Sequence, residues 1–424
     1  MNRLQKMCVS LAVIAVIAVF AGMIHAGRKI QGQADNAPET EDIVTEKEAE
    51  VAVSGSEDQE EHGADLPSEM EEMPGKVAVR VEQIEASRTA RGEITVNWSA
   101  IDGVPVEAYL VMRRTVAGSE SGGGWEMVAE VRTEEAGEEK SYSITDQVEA
   151  AEPQQYEYRV DVKLLDKEHF DSEEGETVLA SNLLICIDPG HFGVESQIVD
   201  AETYGYAEST AVLCLGLKLR EVLKEQYGID SYLTRETDDI TIRGYTNEVL
   251  DSQKIALRGE YAAGSDFFIS LHTNANAEDA NGCPTFEQPV AINKTIILAN
   301  RVAYTSPAAL ALCNAVGEEV TGVNLRMGLS AVDSFRTVDT GAVVEWTVEY
   351  NDSLEEEGTV CRRLGSKGDY YGVLRGATSV GVPGIIIEHG FHSASDVRRA
   401  AMEGDLLEEW AKADARGIAR GFGF

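Results

Sequence analysis

The chain is poor in three things, and each scarcity excludes a class of protein. Basic residues are few: 36 lysines and arginines stand against 74 aspartates and glutamates, for a formal net charge of −38. Nucleic-acid binding wants a basic face, so no nucleic-acid partner is expected. Cysteines number six, lie far apart and form no C-x-x-C pair. Neither a disulfide framework nor a structural zinc site of four cysteines, or of paired cysteines and histidines, is indicated. Cys186, in a strand-like run, and Cys214 and Cys313, in helical stretches, read as small buried hydrophobes. A bridge between Cys283 and Cys361 stays open in an oxidising compartment. Long uncharged apolar runs are the third scarcity, with one exception at the amino end.

That exception, Met7 to Ile24, is flanked by Arg3 and Lys6 before it and Arg28 and Lys29 after it. It exceeds a typical signal-peptide core of roughly 7 to 15 residues and is near the minimum for spanning a bilayer. Residues 1–30 are read as an uncleaved signal anchor in the cell membrane, with the rest of the chain outside the cytoplasm. A cleavable signal with a small-residue site near Ala21 or Ala26 is the competing reading, which would make the protein secreted. Either way the chain is exported. Residues 31–76 are rich in Glu and Asp without apolar periodicity and are expected to form a disordered, self-repelling tether.

From residue 77 to about 178 the pattern changes to short alternating runs, such as Ile94 to Trp98, Ala108 to Met112 and Tyr156 to Val162, separated by turn signals. These predict a separate all-β sandwich domain. Residues 181–424 carry a different grammar. Ile185-Cys186-Ile187-Asp188 stops in Pro189-Gly190 and presents His191; Phe267-Phe268-Ile269-Ser270-Leu271 ends at His272; Ile385-Ile386-Ile387 ends at Glu388. Apolar strands that end in polar groups point to an α/β fold, an open, twisted, mostly parallel sheet flanked by helices, with its chemistry at the carboxyl ends of the strands. Glu208 precedes Val212, Leu215, Leu219 and Val222 at helical spacing, so it opens a helix aimed at the same rim. His191, Glu208 and His272 match the two-histidine, one-carboxylate set of a catalytic zinc site with an open fourth position, and Glu388 is left as the base. Glu195 and Glu202 compete with Glu208 but sit in a loop with no helix to fix them.

These motifs resemble those of the zinc-dependent N-acetylmuramoyl-L-alanine amidases. Asp188 to Gly193, Glu208, Ser270 to Asn274 and Glu388 to Ser393 carry the likeness in order, with Leu233-Thr234-Arg235, Leu257-Arg258 and Ala262-Ala263 in support. The resemblance implies a peptidoglycan substrate, cut between N-acetylmuramic acid and L-alanine, and a zinc ion whose water Glu388 deprotonates. A zinc peptidase acting on the stem peptide, and a non-catalytic wall-binding or activator protein, are the alternatives. Asp188 and Asn274 are candidates to support the ligating imidazoles, with plain turn or capping roles equally open. His389 is expected on the opposite strand face, and His392 on the surface. Phe192 stands where the family usually has glycine, and residues 392–395 replace a more usual Leu-Ser-Asn run. Residues 325–369 match nothing in the family core: they form either a flap that grips substrate or waits for a regulatory protein partner, or neutral decoration. The 77–178 segment resembles a fibronectin type III module through Trp98 and Tyr156-x-Tyr158.

Overall fold

The computed structural model describes residues 75–116, 123–133, 140–193, 198–199, 205–275, 294–329, 360–392 and 394–424. The expected anchor, nearly all of the tether, Glu195, Glu202 and most of the 325–369 segment lie outside them. Among the described residues, no helix is long and apolar enough to cross a membrane.

The first part is built of strands β1 (Ile84–Ala90), β2 (Glu93–Ser99), β3 (Val106–Thr115), β4 (Glu126–Arg132), β5 (Ser141–Gln147), β6 (Gln155–Leu164) and β7 (Val178–Ser181). They pair antiparallel in two sheets, ordered β1-β2-β5 and β4-β3-β6-β7. Strict alternation in β2 sends Ile94, Val96 and Trp98 inward, as the period-2 pattern requires. Trp98 lies 5.7 Å from Tyr142 and 5.8 Å from Tyr109, ring centre to ring centre. Residues of both sheets share this one apolar cluster.

The second part is centred on β8 (Leu184–Pro189), β9 (Asp230–Leu233), β10 (Phe267–Asn274), β11 (Ile296–Ala299), β12 (Val360–Cys361) and β13 (Gly384–Phe391), ordered β9-β8-β10-β13-β11-β12. The first four run parallel, but β11 is antiparallel to β13 and β12 is parallel to β11. The sheet is therefore mixed, with four parallel pairings as expected of a mostly parallel sheet and one antiparallel pairing at this edge. The register explains the reversal: Ile296, the first residue of β11, faces Glu388 near the end of β13, so the chain re-enters the sheet at the rim it had just reached.

Both faces are covered, as the uninterrupted apolar strands demand. Ile185, Ile187, Ile269, Leu271, Ile385 and Ile387 pack on one side with helices α1 (Glu208–Tyr227), α4 (Pro307–Arg326) and α7 (Leu406–Phe422). Cys186, Phe268, Ile386 and Leu298 pack on the other with α5 (Gly372–Ser379) and with Ala262, just past α2 (Ala256–Glu260). Short α3 (Arg301–Thr305) precedes α4, and α6 (Ser395–Glu403) precedes α7. Cys214 on α1 is buried, as its reading as a small hydrophobe requires, but it is disulfide-bonded, which that reading did not include.

The two parts meet at the amino ends of the parallel strands. Arg88 of β1 donates its backbone N–H to Asp230 (2.7 Å) and its guanidinium to Asp266 (3.0 Å). Lys224 of α1 reaches the Ala86 carbonyl at 2.6 Å and Asp230 at 2.7 Å.

Candidate active site

Strand direction places the functional side chains. β8, β10 and β13 end at one rim, and α1 starts there with Glu208 as its first residue. His191 follows β8 in a left-handed turn, with φ of 57°. That conformation is costly for a residue with a side chain, and such outliers cluster at functional sites. Gly190 before it has to be glycine, because a Cβ there would lie 2.3 Å from the His272 ring.

Glu208 stands between the two imidazoles. Its carboxylate lies 3.4 Å from His191 Nε2 and 3.1 Å from His272 Nδ1, and also accepts the Thr273 backbone N–H at 2.9 Å. The rings are set nearly perpendicular, at 81°, with centres 4.9 Å apart. One donor atom from each of the three residues falls within 4.8 Å of the others. Zinc bonds of about 2.0–2.1 Å to nitrogen and oxygen, arranged tetrahedrally, need neighbouring donors roughly 3.3 Å apart; the two Glu208–imidazole separations, 3.4 and 3.1 Å, meet that spacing, so these residues could hold the ion. Glu388 is the register partner of His272 across the β10–β13 ladder.

The charges respond to this crowding. Burial works against the Glu208 carboxylate, but the imidazoles outweigh it, His191 most, and hold its pKa below the ordinary range. Burial pulls His191 down. It pulls His272 down as well, yet the Glu208 hydrogen bond and the Glu388 charge prevail and raise that ring's pKa.

The two supporting candidates take other work. Asp188 is fully buried and is claimed by Arg258, which grips both carboxylate oxygens at 3.0 Å, by Thr234 at 2.5 Å and by Ser270 at 2.7 Å. These partners are a guanidinium and two hydroxyls and no imidazole, so of the two roles left open for Asp188 the structural one holds. It anchors the strand end, since Arg258 also binds the Pro189 carbonyl at 3.1 Å. Arg235 adds bonds to the carbonyls of Pro189 (3.0 Å), Gly190 (2.9 Å) and Ser209 (2.6 Å), which tie the His191 turn to the start of α1. Asn274 caps its own turn, accepting the Ala275 N–H at 2.7 Å.

His392 is buried rather than on the surface, and this is a correction. Its N–H is held by the Asn274 carbonyl at 2.7 Å, its ring stacks on Tyr206 at 5.4 Å, and its Nδ1 lies 2.9 Å from the Thr273 hydroxyl. The Tyr206 hydroxyl meets the same Thr273 oxygen at 2.7 Å. Sequence reasoning gave Tyr206 and Thr273 no role. The only local signal was an alternation of polar and aromatic residues beside two motif positions, which is a weak one. Phe192 packs against Ile240, Ile242 and Leu250 beside the His191 turn.

No curated protein matches the chain. Among solved structures it is similar to the CwlD amidase from Clostridioides difficile, solved in complex with the GerS lipoprotein, at 18% identity over 56% of this chain and 98% of that one, with a TM-score of 0.39. It is similar to the amidase AmiC2 of Nostoc punctiforme at 21% identity over 56% of this chain and 96% of that one, with a TM-score of 0.34. The catalytic domain of CwlV from Bacillus (Paenibacillus) polymyxa is similar at 19% identity over 56% of this chain and 97% of that one, with a TM-score of 0.36. Residues 185–420 match the family described as N-acetylmuramoyl-L-alanine amidase. That match covers more than half of the chain and takes in every rim residue from His191 to Glu388: the chain belongs to the N-acetylmuramoyl-L-alanine amidase family.

Proposed function

We propose that this peptidoglycan amidase works with a zinc ion held by His191, Glu208 and His272 and with Glu388 as its proton carrier. The observation that supports this most is the convergence of those three donor atoms within 4.8 Å, beside the ladder partner of His272. Bound zinc would lower the pKa of its water to about 7 and polarise the amide carbonyl. Glu388 takes a proton as the water oxygen bonds to the carbonyl carbon of the lactyl group. It returns that proton to the nitrogen of L-alanine as the carbon–nitrogen bond breaks, leaving a free amine and a carboxylic acid whose remaining proton passes to the amine or to solvent. Arg235 and the Asp188–Arg258 pair hold the His191 turn still while this happens.

Digestion of purified peptidoglycan, with products identified by mass, tests the reading. Intact peptides that begin with L-alanine are expected, their release lost on chelation, restored by zinc and absent in Glu388→Ala. Peptides cut inside the stem would instead point to a peptidase.

Two further parts of the reading rest on the sequence. The strands between residues 77 and 181 are proposed to form a fibronectin type III-like module acting as a rigid spacer, in line with the two antiparallel sheets over one core. Met7 to Ile24 is proposed to anchor the chain in the cell membrane, with the acidic tether giving reach. Recovery of the full chain in a salt-washed membrane fraction is the expected result, and recovery in the medium would favour the cleaved form.

A further inference from the structure

Directly behind the site, on the opposite face of β13, lies a buried pair that the proposed chemistry does not use. His389 and Asp414 of α7 have no exposed surface, and their side chains meet at 2.8 Å through His389 Nε2 and Asp414 Oδ2. The other ring nitrogen, Nδ1, lies 3.0 Å from the backbone carbonyl of His272. A carbonyl only accepts, so Nδ1 carries a hydrogen and donates it. The imidazole thus spans from the strand that bears Glu388 to the carbonyl of the residue that ligates the metal.

The place of this bridge matters. β10 and β13 run in register up to the His272–Glu388 pair, then slip before Asn274 meets Phe391. An irregularity of this kind disrupts the ladder locally and re-aims neighbouring side chains. At that point the His389 side chain supplies a bond between the strands. The ring is itself held. It leans on Trp410 with centres 5.2 Å apart, Trp410 donates to Asn324 at 2.8 Å, and Asn324 donates to the His389 carbonyl at 2.8 Å. Asp414 Oδ1 has no hydrogen-bond partner among the described residues. Its carboxylate is directed at His389.

We propose that His389 and Asp414 are a positioning pair, which sets the offset between His272 and Glu388 across the slipped ladder and so the distance over which the proton moves. The inference rests on the roles given above to His272 and Glu388.

The full chain carrying both His389→Leu and Asp414→Leu is the test, since an apolar replacement of a buried pair often preserves folding. Steady-state rates on peptidoglycan should show kcat down about tenfold with KM unchanged, and zinc affinity by chelator competition should fall about tenfold. His389→Asn with Asp414→Leu keeps a donor at the Nδ1 position and should recover most of both. A double leucine variant that melts like the parent and keeps its kcat and zinc affinity overturns the inference. If that variant does not fold, Asp414→Asn decides: kcat lowered about threefold at constant KM supports the role, and parental kcat and zinc affinity refute it. Glu388→Ala, run alongside, separates the two claims. If it is inactive while the His389 variants behave as the parent, only the positioning role fails; if it is fully active, the base assignment fails first.

Discussion

The two ends of the central sheet use the same materials, carboxylates beside nitrogen cations or imidazoles, for opposite purposes. At the amino ends, Asp230 and Asp266 are matched by Arg88, Lys224 and the Leu184 N–H, and the contacts join the first part of the chain to the second. At the carboxyl ends, Glu208 is shared between two imidazoles, His191 is held in a left-handed turn, and Glu388 lies beside His272. One end satisfies its charges against each other; the other gathers donors that a cation would satisfy better. Asp188 and Arg258 sit just beneath that rim, at the end of β8, and give it its stiffness. The difference predicts that substitutions at the rim remove activity while sparing the fold, and that substitutions at the base do the reverse.

The sharpest test of that contrast is Glu388→Ala. Losing a positioned acid–base group should lower kcat by about 10²–10⁴-fold. The melting temperature should stay close to the parent's, and a large fall in it would mean that Glu388 serves the fold rather than the reaction. Asp188→Asn comes next and should blur the contrast. It takes from the buried Arg258 guanidinium its fully buried counter-charge and leaves only the partly exposed Asp251 at 3.3 Å, at a cost of up to roughly 3–5 kcal/mol. Urea unfolding should show that loss, and activity should fall with it because the His191 turn hangs from the same arginine through Pro189.

How much of this contrast could be read from the residues alone depends on whether the signal was local. Ile185 to His191, Phe267 to His272 and Ile385 to Glu388 are each a self-contained apolar strand with a polar end, so the parallel core and its rim could be read from the sequence. Glu208 could be read because the helix it opens has a clear apolar stripe. The direction of β11 could not be, since Ile296-Ile297-Leu298-Ala299 looks the same whichever way it runs. Asp188 was placed at the right strand end but its partner was left open, because an imidazole and the distant Arg258 are both chemically apt for a buried carboxylate. His392 was misplaced because its burial depends on Tyr206, which is 186 residues earlier and adjacent only in the folded chain. The base could not be read at all: Arg88, Asp230 and Asp266 carry no motif, and only tertiary contact brings them together.

The rim should also respond to pH. His272 holds its proton more tightly than an ordinary imidazole, which titrates near 6.5, because Glu208 and Glu388 favour its charged form. The proposed zinc would need that ring neutral, so the proton would compete with the ion below the raised pKa. His191 is pushed the other way by burial and competes less. Zinc affinity should therefore be constant in mildly alkaline buffer and fall as the pH drops through neutrality, by up to about tenfold per unit for one competing proton. Isothermal titration across pH 5.5 to 8.5 checks the sign, and an affinity that rises on acidification would contradict it.

The smallest expected effect is at the base. Arg88→Ala removes the guanidinium bond to Asp266 but leaves the backbone bond to Asp230 and the Leu184 N–H on Asp266. Because each carboxylate keeps another partner, the loss should be that of one charged hydrogen bond, about 1.5–3 kcal/mol, instead of an orphaned buried charge. The strands that carry the rim residues extend unbroken from this end to the other, and their packing does not involve Arg88. A lower unfolding midpoint with kcat, KM and zinc affinity unchanged is the expected result. A drop in kcat without a change in midpoint would mean that the β-rich part of the chain acts on the catalytic rim through the sheet, and the two ends would then have to be treated as one coupled device.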